Sequence, residues 1–431
     1  MYGSLQPLVH GWYITMKQKK VLYINIDGFS FSYFEQLTEK EPNGSFSRLA
    51  REGMLFADLH SGLVSITNPM QSAILCGAWS NRTHNFYQHY DWETGTIVKH
   101  KRTCDAENIA QLFRRCGKTA VSIHQFMLEN NPCTEGNRDC LYVRCPNEKS
   151  NSFQRLDILR ELILGNPVYS GGRAFTYSEL PDFTAVYLDD IDSLGHNNAY
   201  EQYPIRHEFS QRQADIQERL SQIGEKLLEI VNLCKAKELL EDLTILITTD
   251  HGMTPFFGKS QLPALQKALR DAGIQADHPQ ERSAQTRVVL LPYTIEVSLY
   301  CAPDLTGEDR KVISQVCRNF PCVERVFEKE QIQSEFGFDL RRPDFLLAPQ
   351  YGSHFYHRDI SADTFAASHD SFHETSQHIF GLLIGNGAQK GSRYMERAYA
   401  IDLLPTILSD NFGLKMKDQT GKIHDFRRAV K

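Results

Sequence analysis

The chain has 431 residues, 41% hydrophobic and 23% charged, a balance that excludes a largely disordered, collagen-like or coiled-coil protein. Lys and Arg number 47 against 53 Asp and Glu, a net charge of −6, so no basic excess exists to hold nucleic acid through its phosphates as a structural partner. At about 100–200 residues per domain, the length allows two or three lobes or one large domain carrying insertions.

Residues 1–15 carry no periodic pattern, and 1–18 read as an N-terminal extension or tag. Lys17, Lys19 and Lys20 precede the apolar run Val21–Ile26, but that run is too short for the h-region of a signal peptide. No run in the chain approaches the roughly 18 residues a membrane helix needs. The expectation is a non-secreted, cytoplasmic protein with no membrane partner; the sequence does not address oligomeric state.

Val21–Ile26 is a compact, β-branched-rich strand that ends in Asp27-Gly28. In Ser65–Leu75, Asn68 reads as an N-cap and Pro69 falls where a first helical turn favours proline, so a helix starts here and runs to Cys76-Gly77. Residues 104–116 read as an amphipathic helix with Ile109, Leu112 and Phe113 on one face and Gly117 as its stop. Strands follow at Thr119–Ile123 and Phe183–Leu188, the second running into Asp189, Asp190 and Asp192. Residues 210–236 give the clearest helix, with Ile216, Leu220, Ile223, Leu227, Val231 and Cys234 at spacings of three and four. Leu243–Thr249 is a strand that ends in Asp250-His251-Gly252, and Ile379–Ile384 is a late strand closing at Gly385. Between them lie strands at Val288–Leu291, Thr294–Tyr300 and Val323–Phe327 and a helix at Asp309–Val316.

Strands alternating with helices predict an α/β protein with a mostly parallel central sheet and helices on both faces. The division expected is a main domain of residues 19–254 and 361–431, interrupted by a small α+β insertion, a cap, at 255–360. Open α/β sheets bind ligands beyond the carboxyl ends of their strands. Three of these strands end at or just before a carboxylate, Asp27, the 189–192 run and Asp250, so those acids should collect at one edge.

Asp192 and His196 stand four residues apart, and Asp250-His251 places the same two ligand types side by side. Zinc is held by imidazole nitrogen and carboxylate oxygen, and a catalytic ion keeps a position open for water or substrate. One Asp-His pair at a strand end is explained as well by capping or a salt bridge; two pairs joined by Asp27 favour metal binding. Thr67, at a helix start, lies beside free backbone amides that attract an anion such as a phosphate. A threonine hydroxyl is a weak nucleophile until a neighbouring metal or base activates it.

Asp27-Gly28, Thr67-Asn68-Pro69 opening a helix that closes at Cys76-Gly77, Asp192-x-x-Gly195-His196 and Asp250-His251-Gly252 follow one another as in the alkaline phosphatase superfamily. The chain resembles its type I phosphodiesterase/nucleotide pyrophosphatase branch from about residue 20 to the end, including Asp402–Ile407, which is similar to that branch's final helix. The resemblance implies an alkaline phosphatase-like fold and a site for two divalent ions, zinc first, with manganese or iron accepted by such donors. By position it implies Asp192, His196 and a late histidine around one ion, and Asp27, Asp250 and His251 around the other. Thr67 would be the covalent nucleophile at the metals and Asn68 a substrate-binding neighbour. Ser368-His369-Asp370 fits the branch's Ser/Thr-His-Gly position, with Asp370 in place of glycine; His369 is the expected ligand, and His373 and His378 compete with it.

Where relatives carry an asparagine that holds a phosphate oxygen, this chain has His89, with Asn85 as the alternative. Thr67-Asn68-Pro69-Met70-Gln71 lacks both the modifiable residue and the arginine of sulfatases. The function expected is hydrolysis of a small phosphodiester or nucleotide pyrophosphate through a phosphothreonine. Its rivals are a monoesterase or phosphonate hydrolase and a noncatalytic phosphoester-binding protein. Tyr87, Tyr90 and Trp92 serve equally as a stacking surface or as core packing. Cys133, Cys140 and Cys145 read as reduced thiols in a polar loop, with a local disulfide or an accessory metal as the alternative; His354 and His357 read as residues of another polar loop, and Arg341-Arg342 as a solvated turn rather than a contact to a substrate carboxylate or phosphate.

Overall fold

The computed structural model describes residues 19–145, 151–337 and 343–431. The expected extension at 1–18 and the pair Arg341-Arg342 lie outside the described residues.

Eight strands form the central sheet: β1 (Lys20–Ile26), β2 (Gly53–Phe56), β3 (Ala120–Ile123), β4 (Cys140–Val143), β5 (Phe183–Leu188), β6 (Leu243–Thr248), β7 (Gly381–Gly385) and β8 (Ser392–Tyr394). Their order is β8-β2-β7-β6-β1-β5-β3-β4. The sheet is mostly parallel, as expected; β7 alone runs against its neighbours β6 and β2. The strands read as near-continuous apolar runs because both sheet faces are covered. On β1, Leu22, Ile24 and Ile26 join one core with Ile216, Leu220 and Ile223 of helix α3 (Phe209–Ala236). Val21 and Tyr23 face the opposite core. That core includes Met70, Ile74 and Leu75 of helix α1 (Thr67–Cys76), and Leu403, Leu404 and Ile407 of helix α4 (Ala400–Phe412). Successive strand side chains alternate between faces, so one strand feeds both layers. Each fully buried aliphatic side chain contributes about 1.5–3 kcal/mol.

Register fixes where the strands stop. Ile26 pairs with Leu188 and Asn25 with Thr248, so Asp27, the 189–192 run and Asp250 leave the sheet at one edge. The 189–192 run turns at once into helix α2 (Asp190–Gly195).

A second, five-stranded sheet is built from Ala276–Asp277, Val288–Pro292, Val297–Cys301, Phe345–Pro349 and Val323–Glu328, in that order. It packs on helices Leu262–Asp271 and Gly307–Arg318 through Leu265, Leu269, Ile313 and Cys317. Two elements start three or more residues later than the sequence suggests. The helix expected over 104–116 spans Ile109–Arg115, because Asn108 and Gln111 form a reciprocal capping box there. The strand expected from Thr294 begins at Val297, because residues 293–296 close a tight turn in which the Tyr293 amide donates to the Glu296 carbonyl.

Candidate active site

Asp27 is the residue after β1. Its amide donates to the Leu188 carbonyl (2.8 Å), and the Tyr187 hydroxyl donates to its Oδ2. Gly28 follows at φ +79°, and a Cβ built there would stand 3.0 Å from the Asp192 backbone. Glycine is thus required twice, by the left-handed backbone and by the close approach of α2. Across the C-terminal end of α2, which His196 caps, the four-residue spacing brings Asp192 Oδ1 to 3.4 Å from His196 Nε2. His369, from the loop after the strand Ala366–Ser368, places Nε2 3.7 Å from the same oxygen. Beyond β6, His251 Nε2 lies 3.2 Å from Asp27 Oδ1 and 3.5 Å from Asp250 Oδ2. The rings of His251 and His369 stack at 3.7 Å, so the two groups adjoin.

All six sequence-selected ligands therefore fall into two triplets, Asp27/Asp250/His251 and Asp192/His196/His369, each with ligand atoms within 4.8 Å of one another. The competitors point elsewhere: His373 caps the helix Glu374–Gln377, and His378 lies against the Ala57 carbonyl and the Phe31 ring.

The donor chemistry of these triplets fits a cation. Nδ1 of His251, His196 and His369 faces the carbonyls of Gly252, Ala367 and Ser65 at 3.0, 2.9 and 2.7 Å. A carbonyl only accepts, so each Nδ1 carries hydrogen and each Nε2 is the end able to ligate a cation. Asp27 Oδ1, Asp192 Oδ1 and Asp250 Oδ2 are buried with no hydrogen-bond partner among the described residues. Burial pushes the Asp27 carboxyl well above the ordinary carboxylate range, and the charges of Asp250 and Asp192 push it further. Burial raises Asp250 as well, against the pull of His251. Burial opposes ionisation of Asp192, but the imidazoles of His196, His369 and His251 hold it below the ordinary range. Burial opposes protonation of His196, yet Asp192 outweighs it and holds the pKa up to about 9. Crowded carboxylates facing lone pairs are costly without positive charge, which a bound cation supplies in place of a proton.

Thr67 is the first residue of α1, and its Oγ1 lies 3.0 Å from His251 Nε2. Asn68 is not the N-cap: that position is Ile66, and among the described residues no side chain caps the first turn. The Asn68 side chain is taken instead by the Arg102 amide, which donates to Oδ1 at 3.2 Å. The helix start keeps its amide donors, as an anion site requires.

Asn85 Nδ2 donates to the Asn68 carbonyl at 3.3 Å, which ties Asn85 to the neighbour of Thr67. His89 sits in the hairpin Gln88–Asp91/Thr96–Lys99, with Nδ1 2.9 Å from His100 Nε2. Tyr90 and Trp92 pack against Val289, Leu291 and Tyr300 of the second sheet, whereas Tyr87 stands 6.1 Å from Tyr293. His354 is buried beside Phe256 rather than on a polar surface. Cys133 and Cys140 are buried free thiols with sulfurs 3.1 Å apart, and Cys140 opens β4 rather than lying in the loop. Two supporting residues escaped the sequence reading: Tyr187, an aromatic in an apolar strand, and Ser65, which receives His369 Nδ1 on its carbonyl and donates its hydroxyl to the His369 carbonyl at 2.5 Å. The spacing of Ser65 two residues before Thr67 was the only available signal.

No described helix is long and apolar enough to cross a membrane. The family model for type I phosphodiesterase/nucleotide pyrophosphatase matches residues 21–372. Among solved structures, the chain is similar to murine ectonucleotide pyrophosphatase/phosphodiesterase 5, free and as an inactive form in complex with AMP. TM-scores are 0.64 at 16% identity, over 94% of this chain and 98% of that one. The human counterpart gives the same TM-score and identity, over 94% and 97%. At such identity the likeness establishes the fold. No curated protein matches the chain.

Proposed function

Since the chain belongs to the type I phosphodiesterase/nucleotide pyrophosphatase family and is a hydrolase of that kind, we propose that it cleaves small phosphodiesters or nucleotide pyrophosphates through a phosphothreonine at Thr67. The observation that carries this reading is the placement of Thr67 Oγ1, 3.0 Å from His251 Nε2, at an uncapped helix start beside two three-ligand groups. AMP in the inactive murine relative is consistent with a nucleotide as substrate.

Thr67 gives its proton to solvent, and Oγ1 bonds to phosphorus as the bond to the leaving oxygen breaks. Water then attacks the same phosphorus, the Oγ1–P bond breaks, and the threonine is restored with release of the phosphoryl product. The amides at the start of α1 and Asn68 Nδ2 face the growing charge on the equatorial oxygens. Two divalent ions, held by Asp27, Asp250 and His251 and by Asp192, His196 and His369, would supply Lewis-acid stabilisation of attacking and leaving oxygens; zinc suits these N/O donors, and manganese or iron also accept them. Tyr187 and Gly28 keep Asp27 and Asp192 in place, and Ser65 does so for His369.

A panel of bis- and mono-p-nitrophenyl phosphates and p-nitrophenyl phosphonates, with and without chelator, tests this. Chelator-sensitive preference for the diester is expected. Preference for the monoester or phosphonate would replace the substrate class, and no turnover of any would remove the catalytic reading.

A further inference from the structure

Asp370 replaces the glycine that the family resemblance leads one to expect beside His369, and its carboxylate is almost fully buried. Its Oδ2 accepts the backbone amides of Thr294 (2.7 Å), Ile295 (2.7 Å) and Glu296 (3.2 Å), and its Oδ1 accepts the Ser368 hydroxyl (2.6 Å). Three successive amides converging on one oxygen form an anion nest, and here the anion is a side chain from another part of the fold. The nest is the turn between strands Val288–Pro292 and Val297–Cys301 of the second sheet. The carboxylate belongs to the loop that delivers His369 to Asp192 and Ser65. Without an acceptor at position 370, all three amides would lose their partner, those of Ile295 and Glu296 in buried surroundings where no water replaces it.

The turn also presents Tyr293, whose ring stands 6.1 Å from Tyr87. Tyr293 shares an apolar cluster with Ile66, the residue before Thr67, and Tyr87 and Phe372 pack against the same cluster. From the other side, the Tyr87 amide donates to Asn85 Oδ1, and Asn85 Nδ2 donates to the Asn68 carbonyl. Contacts thus run from His369 through Asp370, the turn 293–296, Tyr87 and Asn85 to Asn68, the residue after the nucleophile.

We propose that Asp370 is a positioning residue that clamps the turn 293–296 of the second sheet to the His369 loop, and so fixes the Tyr87–Tyr293 wall against which the organic part of the phosphoester binds. The clamp stands on the geometry alone; its bearing on substrate rests on Thr67 as the nucleophile.

The test compares the full-length, metal-loaded protein with Asp370→Ala and Asp370→Asn, the asparagine keeping an acceptor oxygen. Hydrogen–deuterium exchange over residues 293–297 reads the clamp without any activity. It should speed up by about tenfold in Asp370→Ala and by less in Asp370→Asn. With bis-p-nitrophenyl phosphate, KM should rise by about fivefold or more in Asp370→Ala, well beyond any fall in kcat, with rescue by asparagine. Unchanged exchange overturns the clamp; faster exchange with KM and kcat unchanged, or falling in parallel, overturns its role in substrate binding. Should Asp370→Ala not fold, Tyr293→Leu keeps the clamp and removes the wall: a similar rise in KM with unaltered exchange is expected, and an unchanged KM overturns the proposal. An inactive wild type would sink the reading of Thr67, while exchange alone would still decide the clamp.

Discussion

Thr67 Oγ1 and His251 Nε2 stand 3.0 Å apart although 184 positions separate them in the chain. The parallel register of β1, β5 and β6 brings the ligand-bearing strand ends to one edge, and α1 starts at that edge with its amides uncapped. Four consequences can be measured.

Thr67→Ala removes the attacking oxygen and leaves both ligand triplets intact. Turnover should fall by about 10³-fold or more, while metal content, read by elemental analysis, stays at the wild-type level. Normal turnover in this variant would remove the covalent mechanism.

Stripping the protein with chelator leaves Asp27, Asp192 and Asp250 facing one another with buried oxygens that have no hydrogen-bond partner among the described residues. The stripped protein should melt at a lower temperature than the loaded one, and readdition of zinc should restore it. A ligand at a hundred times its Kd contributes about 2.7 kcal/mol, enough to show plainly in a thermal scan. Identical melting with and without chelator and zinc would argue against cations in these triplets.

Gly28→Ala puts a methyl group 3.0 Å from the Asp192 backbone at φ +79°, where Asp27 and α2 meet. Metal content and activity should both drop. Gly172→Ala is the control: its φ is +75°, but nothing lies within 4 Å of the added atom, so only a backbone cost of about 1 kcal/mol is expected there. Equal effects in the two variants would show that the close approach is unimportant.

Glu296 is buried, and its Oε1 has no hydrogen-bond partner among the described residues. Burial raises its carboxyl well above the ordinary range, and the Asp370 charge adds to this. An acid whose folded pKa is raised contributes stability that is complete below its unfolded pKa, about 4.3, and is lost as pH rises through the folded value. Glu296→Gln fixes the neutral form, so urea melts should show a gain of about 1–3 kcal/mol at pH 8 and little at pH 4.5. A gain independent of pH would contradict this assignment of charge.

The fold and the two Asp/His groups were legible because both live in local patterns. Buried strands show as apolar runs, and three of them, β1, β5 and β6, end in a carboxylate or an Asp-His pair that has no packing reason to follow it. Tyr187 was not legible: its hydroxyl meets Asp27 only once β5 lies beside β1, and nothing in the strand's own pattern announces that pairing. Asn68 misled because it has the chemistry of an N-cap, yet the helix begins one residue earlier and the Arg102 amide takes its side chain. The helix expected from residue 104 starts at Ile109 for the converse reason, a better cap at Asn108. Asp370 read as a departure from a glycine position; the partners that explain it are 74 to 76 residues away, beyond any sequence period.

Anomalous diffraction from crystals of the zinc-loaded protein tests the central claim most directly. The account predicts two peaks, one among Asp27, Asp250 and His251 and one among Asp192, His196 and His369, with Thr67 Oγ1 beside them. Saturating zinc with neither triplet occupied, or zinc bound only elsewhere on the chain, would contradict it.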